Sequence, residues 1–215
     1  MDHFIVDNLK QIKNEVLLKK KDCKIIAVSK TFQIEKIRPL LEFGHLHFGE
    51  NKVQEAISKW KDIKNERKDL KLHMVGKLQS NKAKNAAEIF DYIHSLDSQK
   101  LADNLSKHQK NLNKKLKYFI QINIGNEVQK SGISASELDA FYYYCKNEIN
   151  LDIIGLMIIP PNDNNTKKYF EALSKLNKSF ALKELSMGMS SDYLEAVKYG
   201  ATFVRIGSSI FGSRS

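Results

Sequence analysis

The chain has 215 residues, of which 42% are hydrophobic and 28% charged. This is ordinary globular composition, long enough for one sizeable core or for an α/β barrel near the short end of its range. The formal net charge is +10, yet arginine occurs only at Arg38, Arg67, Arg205 and Arg214. The lysines are scattered through helical patterns with no interleaved aromatic residues, which argues for a solvated basic surface and against a nucleic-acid platform. No apolar run has the length of a membrane span. The N-terminus, Met1-Asp2-His3-Phe4-Ile5-Val6-Asp7, carries acidic residues and no apolar signal core. Cys23 and Cys145 have no metal-like spacing, so a reduced cytoplasmic compartment is expected.

Residues 3–20 read as a helix with Leu9, Ile12, Val16 and Leu17 on its buried side. The first strand, Ile25 to Ser29, follows and ends in Lys30. Further strands are expected at Leu46 to Phe48, Leu72 to Val75, Tyr92 to His94, Tyr118 to Ile124, Ile153 to Ile158, Glu184 to Met187 and Thr202 to Ile206. Between them the apolar period becomes helical. The stripes are Ile34, Ile37 and Leu41; Val53, Ala56, Ile57 and Trp60; Leu101, Leu105, His108 and Leu112; and Leu138, Phe141, Tyr142, Cys145 and Ile149. Ser134 with Glu137, and Asp192 with Glu195, have the spacing of capping boxes. Gly44 and Gly200 stand where helices should stop.

Eight strand–helix units predict a parallel sheet covered by helices. The expected fold is a single (β/α)8 TIM-type barrel with an extra N-terminal helix, residues 1–215 forming one domain. A doubly wound open sheet is the structural alternative. In such a barrel the chemistry lies at the C-terminal strand ends, with a phosphate site formed by the loops after strands seven and eight.

Lys30 is placed at such an end by the most apolar short run of the chain. Desolvation disfavours its ammonium form, and a neutral amine condenses with an aldehyde. The segments Ser186-Met187-Gly188-Met189-Ser190 and Arg205-Ile206-Gly207-Ser208-Ser209 each end a strand in glycine and hydroxyl residues where a helix starts. Side by side they form a plausible phosphate cradle; separately, each is also common turn chemistry. Arg205 is either one side of an ion pair at the barrel rim or the partner of a ring nitrogen or phosphate. Asn51, Gln79 and Asn81 are either ligand donors or helix caps. Gln121 and Asn123 share a strand face. His45 and His47 alternate, but no carboxylate or cysteine spacing supports a metal there. Amine, anion cradle and ring partner together suit a phosphorylated aromatic aldehyde, pyridoxal 5'-phosphate. A phosphosugar enzyme using Lys30 without a cofactor is the competing chemistry.

The chain resembles the pyridoxal-phosphate homeostasis proteins, a family similar to the barrel domain of bacterial alanine racemase. The motifs are Ala27-Val28-Ser29-Lys30, Phe48-Gly49-Glu50-Asn51 with Gln54-Glu55, and His73 with Gly76, Leu78-Gln79 and Asn81-Lys82. They continue through Gln121-Ile122-Asn123-Ile124, Lys130-Ser131-Gly132, Gly155-Leu156-Met157, Ser186-Met187-Gly188-Met189-Ser190 and Val204-Arg205-Ile206-Gly207. The resemblance runs from about residue 24 to the C-terminus.

It implies that Lys30 holds pyridoxal phosphate as a lysine aldimine. It implies that Ser190, Gly207 and Ser208 hold the phosphate with Ser186 nearby, that Arg205 faces the pyridine nitrogen, and that Asn51 lies beside the cofactor. One departure is local: family members often carry Lys-Pro after the threonine that follows this lysine, whereas Thr31 is followed by Phe32-Gln33. Alanine racemase adds a mostly β domain and a tyrosine from a partner subunit, for which this sequence is expected to have no counterpart. An arginine at the ring nitrogen disfavours ring protonation. The resemblance therefore implies a non-catalytic carrier that buffers the cofactor or delivers it to apo-enzymes, with effects on vitamin B6 and amino-acid pools. A pyridoxal-phosphate enzyme such as an amino-acid racemase is the alternative. A cytoplasmic monomer without nucleic-acid or membrane partners is expected.

Overall fold

The computed structural model describes residues 3–125, 127 and 131–212. Eight parallel strands close into a barrel in chain order. They are β1 (Lys24–Val28), β2 (His47–Glu50), β3 (Lys71–Met74), β4 (Tyr92–Leu96), β5 (Lys117–Gln121), β6 (Asp152–Met157), β7 (Glu184–Ser186) and β8 (Phe203–Ile206). The last strand pairs with the first, Ala27 opposite Ile206 and Ile26 opposite Arg205. The open-sheet alternative is thereby excluded.

Helices precede, separate and follow the strands: α1 (His3–Leu17), α2 (Ile34–Glu42), α3 (Val53–Glu66), α4 (Ala83–Ile89), α5 (Gln99–Asn111), α6 (Leu138–Tyr143), α7 (Thr166–Ser179), α8 (Tyr193–Lys198) and α9 (Ser208–Phe211). The C-terminal end of α6 widens into a π-helix over Tyr144–Glu148. Strand alternation separates two cores. Ile25, Ala27, Phe48, Leu72, Tyr118 and Val204 face the helices, whereas Ile26, Val28, Val75, Tyr92, Phe119, Met157 and Phe203 fill the barrel.

Several local expectations are corrected. Most strands begin or end a residue or two away from their predicted limits, and β5 stops at Gln121 rather than Ile124. Helix α1 ends at Leu17, which is 40% exposed, so its buried side is Ile5, Leu9, Ile12 and Val16. The Ser134–Glu137 capping box is present. Asp192 forms none: its carboxylate instead accepts the Met189 N–H at 2.6 Å. Gly44 and Gly200 adopt the left-handed backbone, with φ of +85° and +97°. Lys130 lies outside the described residues.

The N-terminal helix bears on the mouth of the barrel. It packs against α2, α8 and α9. Asn8 donates to the Ile210 carbonyl at 3.1 Å, and the Tyr193 hydroxyl donates to Glu15. Helix α1 thus holds α9, and with it Gly207 and Ser208 at its start, over the seam between β8 and β1.

Candidate functional site

Lys30, Asn51, Ser186, Ser190, Arg205, Gly207 and Ser208 all lie at the C-terminal ends of β1, β2, β7 and β8 or in the loops that follow. Those four strands are consecutive around the closed barrel, so the residues share one half of one mouth. Two close approaches tie the loops together. A Cβ on Gly207 would stand 3.3 Å from the Val28 carbonyl, two residues before Lys30. A Cβ on Gly76 would stand 2.5 Å from the Asn51 carbonyl, so Asn51 is pressed against the loop after β3.

The backbone on both sides of Lys30 is fastened. Lys59, on α3, donates to the Ser29 carbonyl at 2.9 Å, to Glu50 Oε1 at 2.9 Å and to Glu55 Oε1 at 3.0 Å, which uses all three of its donors. Glu55 Oε1 also accepts the Thr31 N–H at 2.5 Å. The two peptide groups that flank Lys30 are therefore both held by one ion-paired cluster. Thr31 has φ +68°, a left-handed backbone that costs a β-branched residue energy, and the Glu55 contact opposes its relaxation. Glu50 Oε1 further accepts from Ser29 Oγ at 2.7 Å and from Trp60 Nε1 at 2.9 Å. Its other oxygen is buried without a partner among the described residues. Burial pushes the Glu50 carboxyl above its usual range, against the opposing pull of Lys59, Trp60 and Ser29.

Across the mouth, Ser190 Oγ accepts backbone N–H groups from Gly207 and Ser209, each at 3.3 Å. The loops after β7 and β8 thus converge on one point with amide and hydroxyl donors, a set that suits an anion. Arg205 is 5% exposed. Its guanidinium donates to Ser186 Oγ at 2.7 Å and to the Ile158 carbonyl at 2.8 Å. No carboxylate pairs with it among the described residues, so the ion-pair reading of Arg205 is replaced by neutral acceptors. Burial lowers its pKa to about 10, which leaves it cationic at neutral pH.

The remaining polar candidates end β5 or follow β3 and β5, outside this half of the mouth. Gln121 donates to the Ser131 carbonyl at 3.2 Å. Asn123 donates to the Glu127 carbonyl at 2.8 Å, so both brace the loop after β5. Gln79 and Asn81 are exposed at a short 3-10 turn over Ser80–Lys82. A cavity of about 290 Å³ opens at the same mouth between Val75, Lys77, Gln121, Ser131 and Ile159. A hollow of about 590 Å³ lies at the opposite end of the barrel among Lys110, Lys114, Lys115 and Lys146, away from these residues.

Sequence reasoning missed the cluster behind Lys30 and the interior partners of Arg205. Glu50, Glu55 and Lys59 carried a usable signal, since the i, i+4 spacing of Glu55 and Lys59 places them on one helix face.

The alanine racemase N-terminal domain model matches residues 4–215. A pyridoxal phosphate homeostasis protein of Haemophilus influenzae is 39% identical over 89% of this chain and 85% of its own length. One from Escherichia coli K12 is 34% identical over 98% and 97%. The chain belongs to the pyridoxal phosphate homeostasis protein family. Among solved structures, this family member is similar to PipY of Synechococcus elongatus, described with PLP bound. The TM-score is 0.87 and the identity 35%, covering 97% of this chain and all of that one. Clostridium difficile alanine racemase shares the fold at a TM-score of 0.75 and 15% identity, over 99% of this chain and 57% of its own.

Proposed function

We propose that this homeostasis-family protein binds pyridoxal 5'-phosphate at the half-mouth built by β7, β8, β1 and β2, and serves as a carrier rather than a catalyst. The observation that carries this reading is the convergence of one lysine, one buried guanidinium held by neutral acceptors and one amide–hydroxyl cluster on adjacent strand ends. The donor set fits the cofactor group by group. Lys30 provides the amine, Gly207, Ser208 and Ser190 the donors for a phosphate, and Arg205 a donor for the ring nitrogen. Ser186 and Asn51 complete the surroundings. When bound, the cofactor supplies an aldehyde for a lysine amine and a ring that can withdraw electrons.

The chain's own residues favour retention. Lys59 and Glu55 fix the backbone around Lys30, and α1 holds the loop that presents Gly207 and Ser208. Arg205 stays a donor throughout the neutral range, so it stabilises an unprotonated ring nitrogen and weakens electron withdrawal by the ring. All these residues come from one chain, so a cytoplasmic monomer of residues 1–215 can act as the unit that buffers the cofactor and releases it to apo-enzymes.

Visible absorption of the purified protein, followed by borohydride reduction and peptide mass spectrometry, tests the site. A reduced adduct on Lys30, absent in Lys30→Ala, is expected; an adduct confined to other lysines would overturn it. Incubation with single amino acids in heavy water tests the carrier assignment. Rapid Lys30-dependent exchange of an α-proton would establish a racemase-like enzyme instead.

A further inference from the structure

Behind Arg205, a line of hydrogen bonds crosses the barrel interior from one mouth to the other. His47 Nδ1 lies 3.0 Å from His73 Nε2. His73 Nδ1 lies 2.9 Å from His94 Nε2. His94 Nδ1 lies 2.7 Å from Ser186 Oγ, which accepts Arg205 Nη1 at 2.7 Å. His73, His94 and Ser186 are fully buried. The rings are held flat against aromatic neighbours, His73 on Tyr92 and His94 on Phe119, each pair with centroids 4.3 Å apart.

We propose that His94 and His73 are positioning residues for Arg205, and that Arg205, acting through Ser186, sets one direction for the whole relay, with the Nε2 proton on His94, His73 and His47. The argument follows from donor and acceptor counts. Arginine only donates, so Ser186 Oγ accepts from it. The Ser186 hydroxyl proton then needs an acceptor, and His94 Nδ1 is the one in reach. Burial, mutual repulsion and the nearby guanidinium keep the imidazoles uncharged, and a neutral imidazole has one donor and one acceptor. His94 therefore donates from Nε2 to His73 Nδ1, and His73 donates from Nε2 to His47 Nδ1. The reverse order would leave a buried hydroxyl proton without an acceptor, which is unfavourable. Hydrogen bonds in series polarise one another, so each histidine strengthens the lone pair that Ser186 offers to Arg205.

Termination in a donor-only group also decides what the relay cannot do. Arg205 cannot take up a proton from Ser186, so no proton passes through the barrel to the cofactor site. The relay is a polar support that holds the guanidinium in place without a carboxylate. Its functional part rests on the reading of Arg205 as a cofactor contact; its direction does not.

The test is nitrogen-15 NMR of the histidine side chains at neutral pH in the full-length protein stripped of cofactor. Nε2-protonated neutral tautomers are expected for His47, His73 and His94. A cationic ring, or an Nδ1-protonated His73 or His94, would overturn the inference. In Arg205→Gln the amide oxygen can accept from Ser186, both directions become possible, and mixed tautomers are expected at His94 and His73. Unchanged tautomers would refute the role of Arg205 in setting the direction. Pyridoxal phosphate titration then separates the two claims. His94→Leu is expected to bind about tenfold more weakly and His94→Gln, which keeps an acceptor and a donor, within about threefold of the parent. Equal binding by both variants would refute the coupling to Arg205. Failure of the parent to bind would refute the cofactor site and leave the tautomer result standing.

Discussion

Two buried histidines, His73 and His94, and two half-buried ones, His45 and His47, make the fold acid-labile, and the size of the effect follows from their surroundings. Burial is the main cause that lowers His45 and His47 to about 4 and that holds His73 and His94 well below their ordinary value of 6.5. In the unfolded chain all four ionise near that ordinary value. Between those limits the unfolded state binds more protons, so stability falls as the pH falls through about 6.5 and is fully present above it. From about pH 7.5 to about pH 5.5 each histidine contributes a loss on the order of 1 kcal/mol, and the four together several kcal/mol. That is comparable with the whole stability of many domains. Glu50 and Asp97 oppose the trend. Burial holds both above the usual carboxylate range, so the folded chain takes up their protons more readily and offsets part of the loss. Urea unfolding followed by the fluorescence of Trp60, the single tryptophan, at several pH values measures the slope. A change below about 1 kcal/mol over this interval would refute the assignment of neutral imidazoles.

Two further substitutions probe what holds the mouth. The Lys59 and Glu50 side chains are 9% and 0% exposed, and removing one partner of such a pair costs about 3–5 kcal/mol. Lys59→Met should show this loss in urea, with faster proteolysis near Lys30, while Lys59→Met combined with Glu50→Gln recovers part of it; a loss under about 1 kcal/mol in the single variant would contradict the clamp. In Gly155→Ala the new Cβ would stand 1.9 Å from the Glu184 carbonyl, which forces β6 and β7 apart. A loss of about 1–3 kcal/mol is expected, seen as a melting temperature lower by several degrees, and an unchanged melting temperature would contradict the close approach.

The barrel was legible because its strands are short apolar runs and its helices carry stripes such as Val53, Ala56 and Trp60, so period alone separates them. The positions of Lys30, Ser190 and Gly207 were legible for the same reason: each stands within a few residues of a strand end. Strand limits were less so, because in a run such as Tyr118 to Ile124 the strand-like alternation continues through Ile122, Asn123 and Ile124 after β5 ends at Gln121 and the chain turns to the bridge between Ile122 and Ile133. The setting of Arg205 was not legible at all. Its support comes from residues at positions 47, 73, 94 and 186, far apart in the chain, and nothing in the spacing of the three histidines links them to one another or to Arg205.

This difference in legibility reflects two kinds of construction at one mouth. Lys30 is held by neighbours on the next strand and helix, Glu50, Glu55 and Lys59, all within thirty residues of it. A change there acts locally, on the loop after β1. Arg205 is instead held from the inside of the closed barrel, through groups on β2, β3, β4 and β7. Burying so many polar groups is favourable only while they hydrogen-bond to one another, and the contacts from His47 through His73, His94 and Ser186 to Arg205 form only when all these strands keep their register. The guanidinium therefore reports the closure of the whole barrel. A perturbation of β2 at the far mouth, at His47, should reach Arg205 before it reaches Lys30, although Lys30 stands on the neighbouring strand.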